Sequence, residues 1–387
     1  MAIRKVFGSD DEYALLITPG ETEGQRRGPS IEEIRMAAPY GVVGTFDQAY
    51  RRAGGHTIGG PDDSAFQIEE RSLALATNLM LGNGARFYVD SSHPEYCTPE
   101  CTSIFDYIAH TKAGDLAVTT GAADFAARMN AHGLPMTAAV YHNNHDHKGD
   151  SWGTHVNFLV AANALPEIMR FFPIHLITSQ IFCGGGRVGG NSDSRGVQPR
   201  FQLSQRADFT VMDYSLDTMH DRGVMNTRDE PHSGPDYARL HVINFDANMS
   251  ELATFLKIGT SCIVLAMIED GWLQKHAHDL VVTNMAQTFQ AVSRDITLKR
   301  PFRLADGSRI SALEAQARLL TEAKRYAEER GLGFLEPGEG ETVLELWEQT
   351  LQVLEQNPMA ADGLDWPRKL ALIDSYDAKG SSLHKLV

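Results

Sequence analysis

The chain has 387 residues, 42% of them hydrophobic and 22% charged, with a formal net charge of −15. That length can bury a large core in one big domain or two, and the composition is ordinary for a globular protein. The acidic balance disfavours general nucleic-acid binding, because no overall basic field attracts phosphates, and no apolar run approaches the length of a bilayer crossing.

Residues 3–18 read as a strand interrupted by Asp10, Asp11 and Glu12. Strand alternation puts Asp10 and Glu12 on one face and Asp11 on the other. Two carboxylates so spaced suit a divalent cation; a surface turn with three acids is the plainer alternative. Residues 19–30 read as a Gly/Arg-rich loop, and Ser30 with Glu33 forms a capping box for a short helix. Residues 53–64 read as a flexible insertion.

The densest stretch is Asn83 to Cys101, NGARFYVDSSHPEYCTPEC. Asn83-Gly84 marks a turn and Arg86–Asp90 a short alternating strand, with Asp90 at its end. His93, Glu95 and Glu100 follow, interleaved with Pro94 and Pro99, which stiffen the ribbon and oppose a helix. Three carboxylates and a histidine this close are costly unless a cation or a basic substrate neutralises them. The cysteines are Cys97, Cys101, Cys183 and Cys262. The single C-x3-C pair is a poor zinc signature. With no leader at the N-terminus, reduced thiols in a cytoplasm are expected.

Next comes a helix capped at Thr102 or Ser103 and divided by Gly114 and Gly121, then a buried strand over 136–142. The run from His142 to His155 holds four histidines, which admits a His-rich metallohydrolase as the second chemistry. His155 and Asn157 share one face of a new strand. The helix over 165–183 stops at Gly184-Gly185-Gly186, a turn that can also approach phosphates. FQLSQRADF is strand-like, with Ser204 and Arg206. Arg228, Asp229, Glu230 and His232 precede a turn, and residues 249–269 form an apolar core helix. From residue 301 onward the helices are amphipathic, a layer added to the rest.

The segments NGARFYVDSSHPEYCTPEC, SWGTHVNF, FQLSQRADF, NTRDEPH and HVINFDANMSE, in this order, resemble the family of the Pup ligase and the depupylase/deamidase Dop. That family belongs to the carboxylate-amine ligase superfamily with glutamine synthetase. The resemblance runs from about Ile3 to about residue 375 and leans to Dop, because two residues separate Asp90 from His93. It implies an α+β fold: a large curved, mostly antiparallel sheet with the active-site cradle on its concave face, backed by helices. Residues 1–300 would form the glutamine synthetase-like catalytic domain and 301–387 a helical part packed on it.

The resemblance also implies ATP and Mg2+ as cofactors and a cytoplasmic enzyme acting on an amide or isopeptide bond. The alternative is an ATP-dependent carboxylate-amine ligase. The partner would be Pup or a Pup-like or other amide or amine substrate, with no nucleic acid and no membrane. The catalytic aspartate falls on Asp90. Metal ligands fall on Asp10, Glu12, Glu95, Glu100 and His232, and nucleotide contacts on Arg206 and His155. Arg228 joins these because guanidinium groups hold phosphate oxygens bidentately. An acidic partner would need a local basic groove, for which Arg187, Arg195, Arg200 and Arg239 are candidates. This chain departs from the family at Asp10, where Glu is usual, at Val156 within the His-Glu-Asn motif, and at Ser179, where arginine is frequent. Family members also continue beyond DGLDWPRKLALIDSYD, so a divergent branch, shorter at the C-terminus, is implied.

Overall fold

The structure, a computed structural model, describes residues 2–20, 30–58, 78–146, 148–192 and 196–377. The chain divides into two compact units, one of residues 8–101 and 109–143, the other of residues 1–7, 102–108 and 144–387.

The unit of residues 8–101 and 109–143 holds β1 (Phe7–Glu12), β2 (Ala14–Pro19), α1 (Ile31–Arg52), β3 (Thr57–Ile58), β4 (Asn78–Leu81), β5 (Arg86–Asp90) and β6 (His93–Cys97). It also holds most of α2 (Ile104–Ala131), and β7 (Met136–Tyr141). The strands run antiparallel in the order β1-β6-β5-β4-β3. The capping box at Ser30 and Glu33 forms as the sequence indicates, but the helix it starts is 22 residues long. Its apolar face packs on the sheet through Val42, Val43 and Phe46, against Leu79, Phe87 and Tyr96.

Two expectations fail here for clear reasons. Gly114 and Gly121 do not divide α2; they let it pack closely. A Cβ at Gly114 would stand 2.6 Å from the Tyr96 ring, and one at Gly121 would stand 2.4 Å from the Val42 carbonyl oxygen. Nor is β7 a buried strand. Among the described residues it pairs with β2 alone, and of its own residues Met136 alone is buried. Of the loops expected over 19–30 and 53–64, residues 21–29 and 59–64 lie outside the described residues.

In the other unit, β8 (Thr154–Ala161) is followed by α3 (Leu165–Thr178), α4 (Gln180–Cys183), β9 (Arg187–Val188), β10 (Phe201–Gln202), β11 (Thr210–Ser215), β12 (Arg222–Asn226) and β13 (Tyr237–Val242). β13 pairs antiparallel with β8, placing His241 opposite Asn157. The helix α5 (Glu251–Glu269) is capped by Ser250 and buried along nearly its whole length. It is long and apolar enough to cross a membrane, yet it is wrapped in protein, as a core helix is.

The segment 201–209 is not a strand beyond Gln202. The buried Asp246 carboxylate draws its backbone away from any ladder by accepting from Gln205 N, Arg206 N and Ser204 Oγ. Asp246 accepts from Gly185 N as well, and Gly186 N donates to Leu203 O, so those amides of the glycine turn are engaged within the protein. After α6 (Trp272–His276), α7 (Met285–Ser293), β14 (Phe302–Arg303) and β15 (Arg309–Ile310) come the amphipathic helices α8 (Ala312–Arg330), α9 (Glu339–Gln356) and α10 (Asp365–Asp377). Trp366 and Lys369 of α10 donate to Ile181 O and Gly186 O, fastening it over the glycine turn.

Candidate functional site

Register and alternation build an acidic face on β1, β6 and β5. Asp10 lies opposite Cys97 and Glu12 opposite Glu95, while Glu95 lies opposite Tyr88. Since partners across a ladder share a face, Asp10, Glu12, Cys97, Glu95, Tyr88 and Asp90 all project from the same side. Phe87, Tyr96 and Asp11 take the core side, where all three are buried. The result is two overlapping groups that share Glu95. The ligand atoms of Asp10, Glu95 and Cys97 lie within 4.8 Å of one another, and so do those of Glu12, Asp90 and Glu95.

Glu95 is the centre of this face. It is buried, and the Tyr88 hydroxyl donates to its Oε1. Burial pushes its carboxyl up to about 9; the Tyr88 hydrogen bond opposes this, and the charges of Asp10, Glu12 and Asp90 add to it. At neutral pH the Glu95 carboxyl therefore favours its protonated form. Burial, with Asp10 and Glu95 beside it, also drives the Cys97 thiol far above its ordinary value, so it is a neutral SH and not a thiolate. Arg86 stacks its guanidinium 3.8 Å over the Tyr88 ring and donates from Nε to Asn78 Oδ1.

Asp90 differs from Glu95 in setting. It is exposed at the tip of the β5–β6 hairpin, where Ser91 and Ser92 both adopt left-handed backbone, at φ 46° and 75°. Two-residue hairpin turns need this geometry, which Asn-Gly usually supplies. The donor set fits a hard divalent cation, since carboxylate oxygens from three strands converge around a buried acid that ionises when a metal displaces its proton.

The other unit carries the histidine and arginine candidates. His155 and Asn157 do share a face of β8, and Val156 is buried on the opposite side. His241 Nδ1 lies 2.7 Å from Asn157 Oδ1, and the His241 and His155 rings meet edge to face at 5.1 Å. Burial, then the charges of His241, Arg206, Arg222 and Arg239, hold His155 well below its ordinary value, so its imidazole is neutral. Gly153 makes room for that ring: a Cβ there would sit 2.3 Å from His155 Nε2.

Arg206 is only 1% exposed and donates to Ser151 Oγ, Trp152 O and Ile243 O. It shapes the field at His155 and fastens the segment entering β8. Bidentate reach to a ligand is not what this geometry offers. Arg228 is exposed and pairs with Glu230 at 3.2 Å. His232 is exposed in a turn at φ 49°, and Glu100 is exposed beyond β6, outside both acidic groups.

Among the groove candidates, Arg187 is buried against Asp208, Arg200 pairs with Asp374 and Arg239 with Glu230; Arg195 lies outside the described residues. The metal-holding groups among the described residues contain none of His142, His145 or His155, and His147, the fourth histidine of that run, lies outside the described residues. Sequence reasoning missed Tyr88, Cys97 and Arg86 around Glu95, although alternation from Asp90 and Glu95 places each on their face.

A Pup-ligase protein family model matches residues 5–385 of this chain. A depupylase from Acidothermus cellulolyticus is 39% identical over 400 residues, covering 99% of this chain and 77% of its own length. A Pup deamidase/depupylase from Mycobacterium tuberculosis is 40% identical, covering 97% of this chain and 74% of its own. A Pup–protein ligase from Renibacterium salmoninarum is 36% identical over 83% of this chain and 69% of its own. The ligase PafA in complex with the prokaryotic ubiquitin-like protein Pup superposes with a TM-score of 0.76 at 28% identity, covering 97% of this chain and 70% of PafA. PafA in complex with ADP gives 0.70 at 29% identity, over 94% of this chain and 73% of that one. These likenesses, with the α+β architecture and the antiparallel acidic face, establish that the chain belongs to the Pup-ligase family.

Proposed function

We propose that this chain is an ATP- and magnesium-dependent enzyme of depupylase type, acting in the cytoplasm on an amide or isopeptide bond made by Pup or a Pup-like partner. The observation that carries the reading is the pairing of an exposed carboxylate, Asp90, with the buried Glu95 and the half-buried Asp10 and Glu12 gathered around it. Support comes from the depupylase and Pup deamidase/depupylase relatives, and from the ADP complex of the ligase PafA for the nucleotide.

Asp10, Glu12 and Glu95 would hold magnesium. When bound, it would neutralise phosphate oxygens and carboxylates together, most of what phosphoryl-group chemistry asks of a protein. Asp90 takes the proton from the attacking water, whose oxygen bonds to the acyl carbon as the C–N bond breaks. The same proton then passes to the departing amine, leaving a carboxylic acid and a free amine. Tyr88 holds Glu95 in place, and Arg86 stacks on the Tyr88 ring. In the other unit, neutral His155 and the arginine field around it suit an anionic ligand such as the nucleotide; Arg228 is a candidate for the same role, and Glu100 and His232 for the metal.

The ligase alternative has a specific basis in the PafA likeness. There Asp90 would take its proton from a lysine amine. Stoichiometric ATP consumption per product would mark a ligase, whereas ATP that is required but not consumed would mark the hydrolase.

Asp90→Asn is the decisive variant, since it keeps the shape and an acceptor oxygen but cannot take a proton. With a Pup isopeptide conjugate, ATP and magnesium, turnover should fall by about 10²–10⁴, while magnesium and ATP affinities stay near wild type. Undiminished turnover removes the role assigned to Asp90. Loss of magnesium-dependent ATP binding would move Asp90 into the metal shell.

A further inference from the structure

Behind the acidic face lies a second, buried layer of charge. Asp11 alternates away from Asp10 and Glu12 and is 2% exposed on the core side of β1. A buried carboxylate is costly unless it is matched. Its Oδ2 accepts from Ser9 Oγ at 2.7 Å, and its Oδ1 stands 3.5 Å from His142 Nε2. The other ring nitrogen of His142, Nδ1, lies 2.8 Å from Asp115 Oδ1 on α2.

Tyr13 joins this layer to the hairpin. Its ring lies over His142 with centroids 4.6 Å apart, and its hydroxyl donates to the same Asp115 oxygen at 3.0 Å. Its backbone N–H donates to Pro94 O at 3.0 Å, and its carbonyl oxygen stands 3.1 Å from His93 Nδ1. The His142 imidazole therefore joins the strand carrying Asp10 and Glu12 to the helix α2, and Tyr13, packed on it, continues the connection to the hairpin carrying Asp90, Glu95 and Cys97. Burial works against charge on His142, but Asp11 and Asp115 outweigh it and raise the ring to about 9, so it is cationic at neutral pH.

We infer that His142 is a positioning residue for the acidic cluster: clamped between Asp11 and Asp115, it fixes the pleat of β1 so that Asp10 and Glu12 converge on Glu95. The inference rests on the reading of that cluster as a cation site. Without the His142 imidazole, the buried Asp11 carboxyl keeps only Ser9 Oγ of these two partners, and β1 gains by twisting it toward water. Because side chains alternate across a strand, any such twist carries Asp10 and Glu12 away from Glu95. Groups that orient metal ligands from behind are typically worth about 10–100-fold in metal affinity.

The test is calorimetric titration of the full chain with Mn2+ alone at neutral pH, with circular dichroism on each variant. Asp10→Asn should abolish the high-affinity Mn2+ event; if it does not, the cation-site reading falls and takes this inference with it. His142→Phe keeps the ring over Tyr13 but removes both charged contacts. It should weaken Mn2+ binding by about tenfold or more while the fold is retained. A merely structural role would lower the melting temperature and leave that affinity alone, so a folded His142→Phe binding within about twofold of wild type overturns the inference. Should His142→Phe fail to fold, Asp115→Asn decides. That change keeps an acceptor oxygen but removes the negative charge from one side of the clamp, and weaker Mn2+ binding supports the inference while wild-type binding overturns it.

Discussion

Metal binding at the acidic face should be a proton-exchange reaction, and Glu95 sets its size. Burial, against the opposing Tyr88 hydrogen bond and with the help of Asp10, Glu12 and Asp90, holds the Glu95 carboxyl at about 9. At pH 7 such a group is mostly protonated, and ionising it costs about 3 kcal/mol. A divalent cation requires the carboxylate, so each binding event should expel about one proton, and apparent affinity should climb about tenfold per pH unit before flattening near pH 9.

Removing the hydroxyl in Tyr88→Phe takes away a donor to the carboxylate, a hydrogen bond worth about 1.5–3 kcal/mol. That variant should bind more weakly at pH 7, by about tenfold or more, with its plateau moved to higher pH. The assay is calorimetry with Mn2+ in two buffers of different ionisation enthalpy, from which the protons released are counted directly. Affinity that stays level between pH 6.5 and 8.5, with no proton release, would refute the reasoning.

Other outcomes follow from the same geometry. His142 is raised from its ordinary 6.5 to about 9, so its contribution to stability is full below pH 6.5 and is lost as pH rises through about 9; the loss is about 3 kcal/mol at most. Urea midpoints of the metal-free protein at pH 6.5 and 9.5 should therefore differ more in wild type than in His142→Phe, and equal differences would disprove the assignment. Gly153→Ala would place a Cβ 2.3 Å from His155 Nε2 in a packed setting. It should cost about 1–3 kcal/mol and weaken ATP binding, read by thermal unfolding with and without nucleotide.

What the sequence made legible was alternation. From Asp10-Asp11-Glu12 one can say which two acids share a face, and Val156 could be sent to the side away from His155 in the same way. Capping chemistry was local too, so Ser30 with Glu33 marked the start of α1. What stayed hidden depends on partners distant in the chain. Gly114 reads as a helix breaker until Tyr96 is seen against it. FQLSQRADF reads as a strand until Asp246 is seen taking its amides. Arg206 reads as a phosphate clamp until Trp152 O and Ile243 O occupy its guanidinium. His142, one of four crowded histidines, suggested a metal, whereas its neighbours Asp11 and Asp115 make it a cation in its own right.

Asp90 and Glu95 are carried by one hairpin, yet their surroundings divide the work between them. Glu95 is buried, bonded to Tyr88 and surrounded by carboxylates, so it is neutral until a metal arrives. Asp90 stands in water at the tip, where a substrate can reach it. Paired carboxylates in opposed environments are a recurring way to separate a proton-transfer group from a charge-holding group. The same division serves an isopeptide bond in either direction. Forming it requires a base to take a proton from the lysine amine; breaking it requires an acid to return that proton to the same nitrogen. By microscopic reversibility one oxygen can do both. Likeness to both depupylases and ligases is then what this half of the site would produce, and the direction must be set by what delivers the nucleophile and by whether the γ-phosphate is transferred. Asp90→Asn should silence either reaction, which is why ATP stoichiometry, and not that variant, tells them apart.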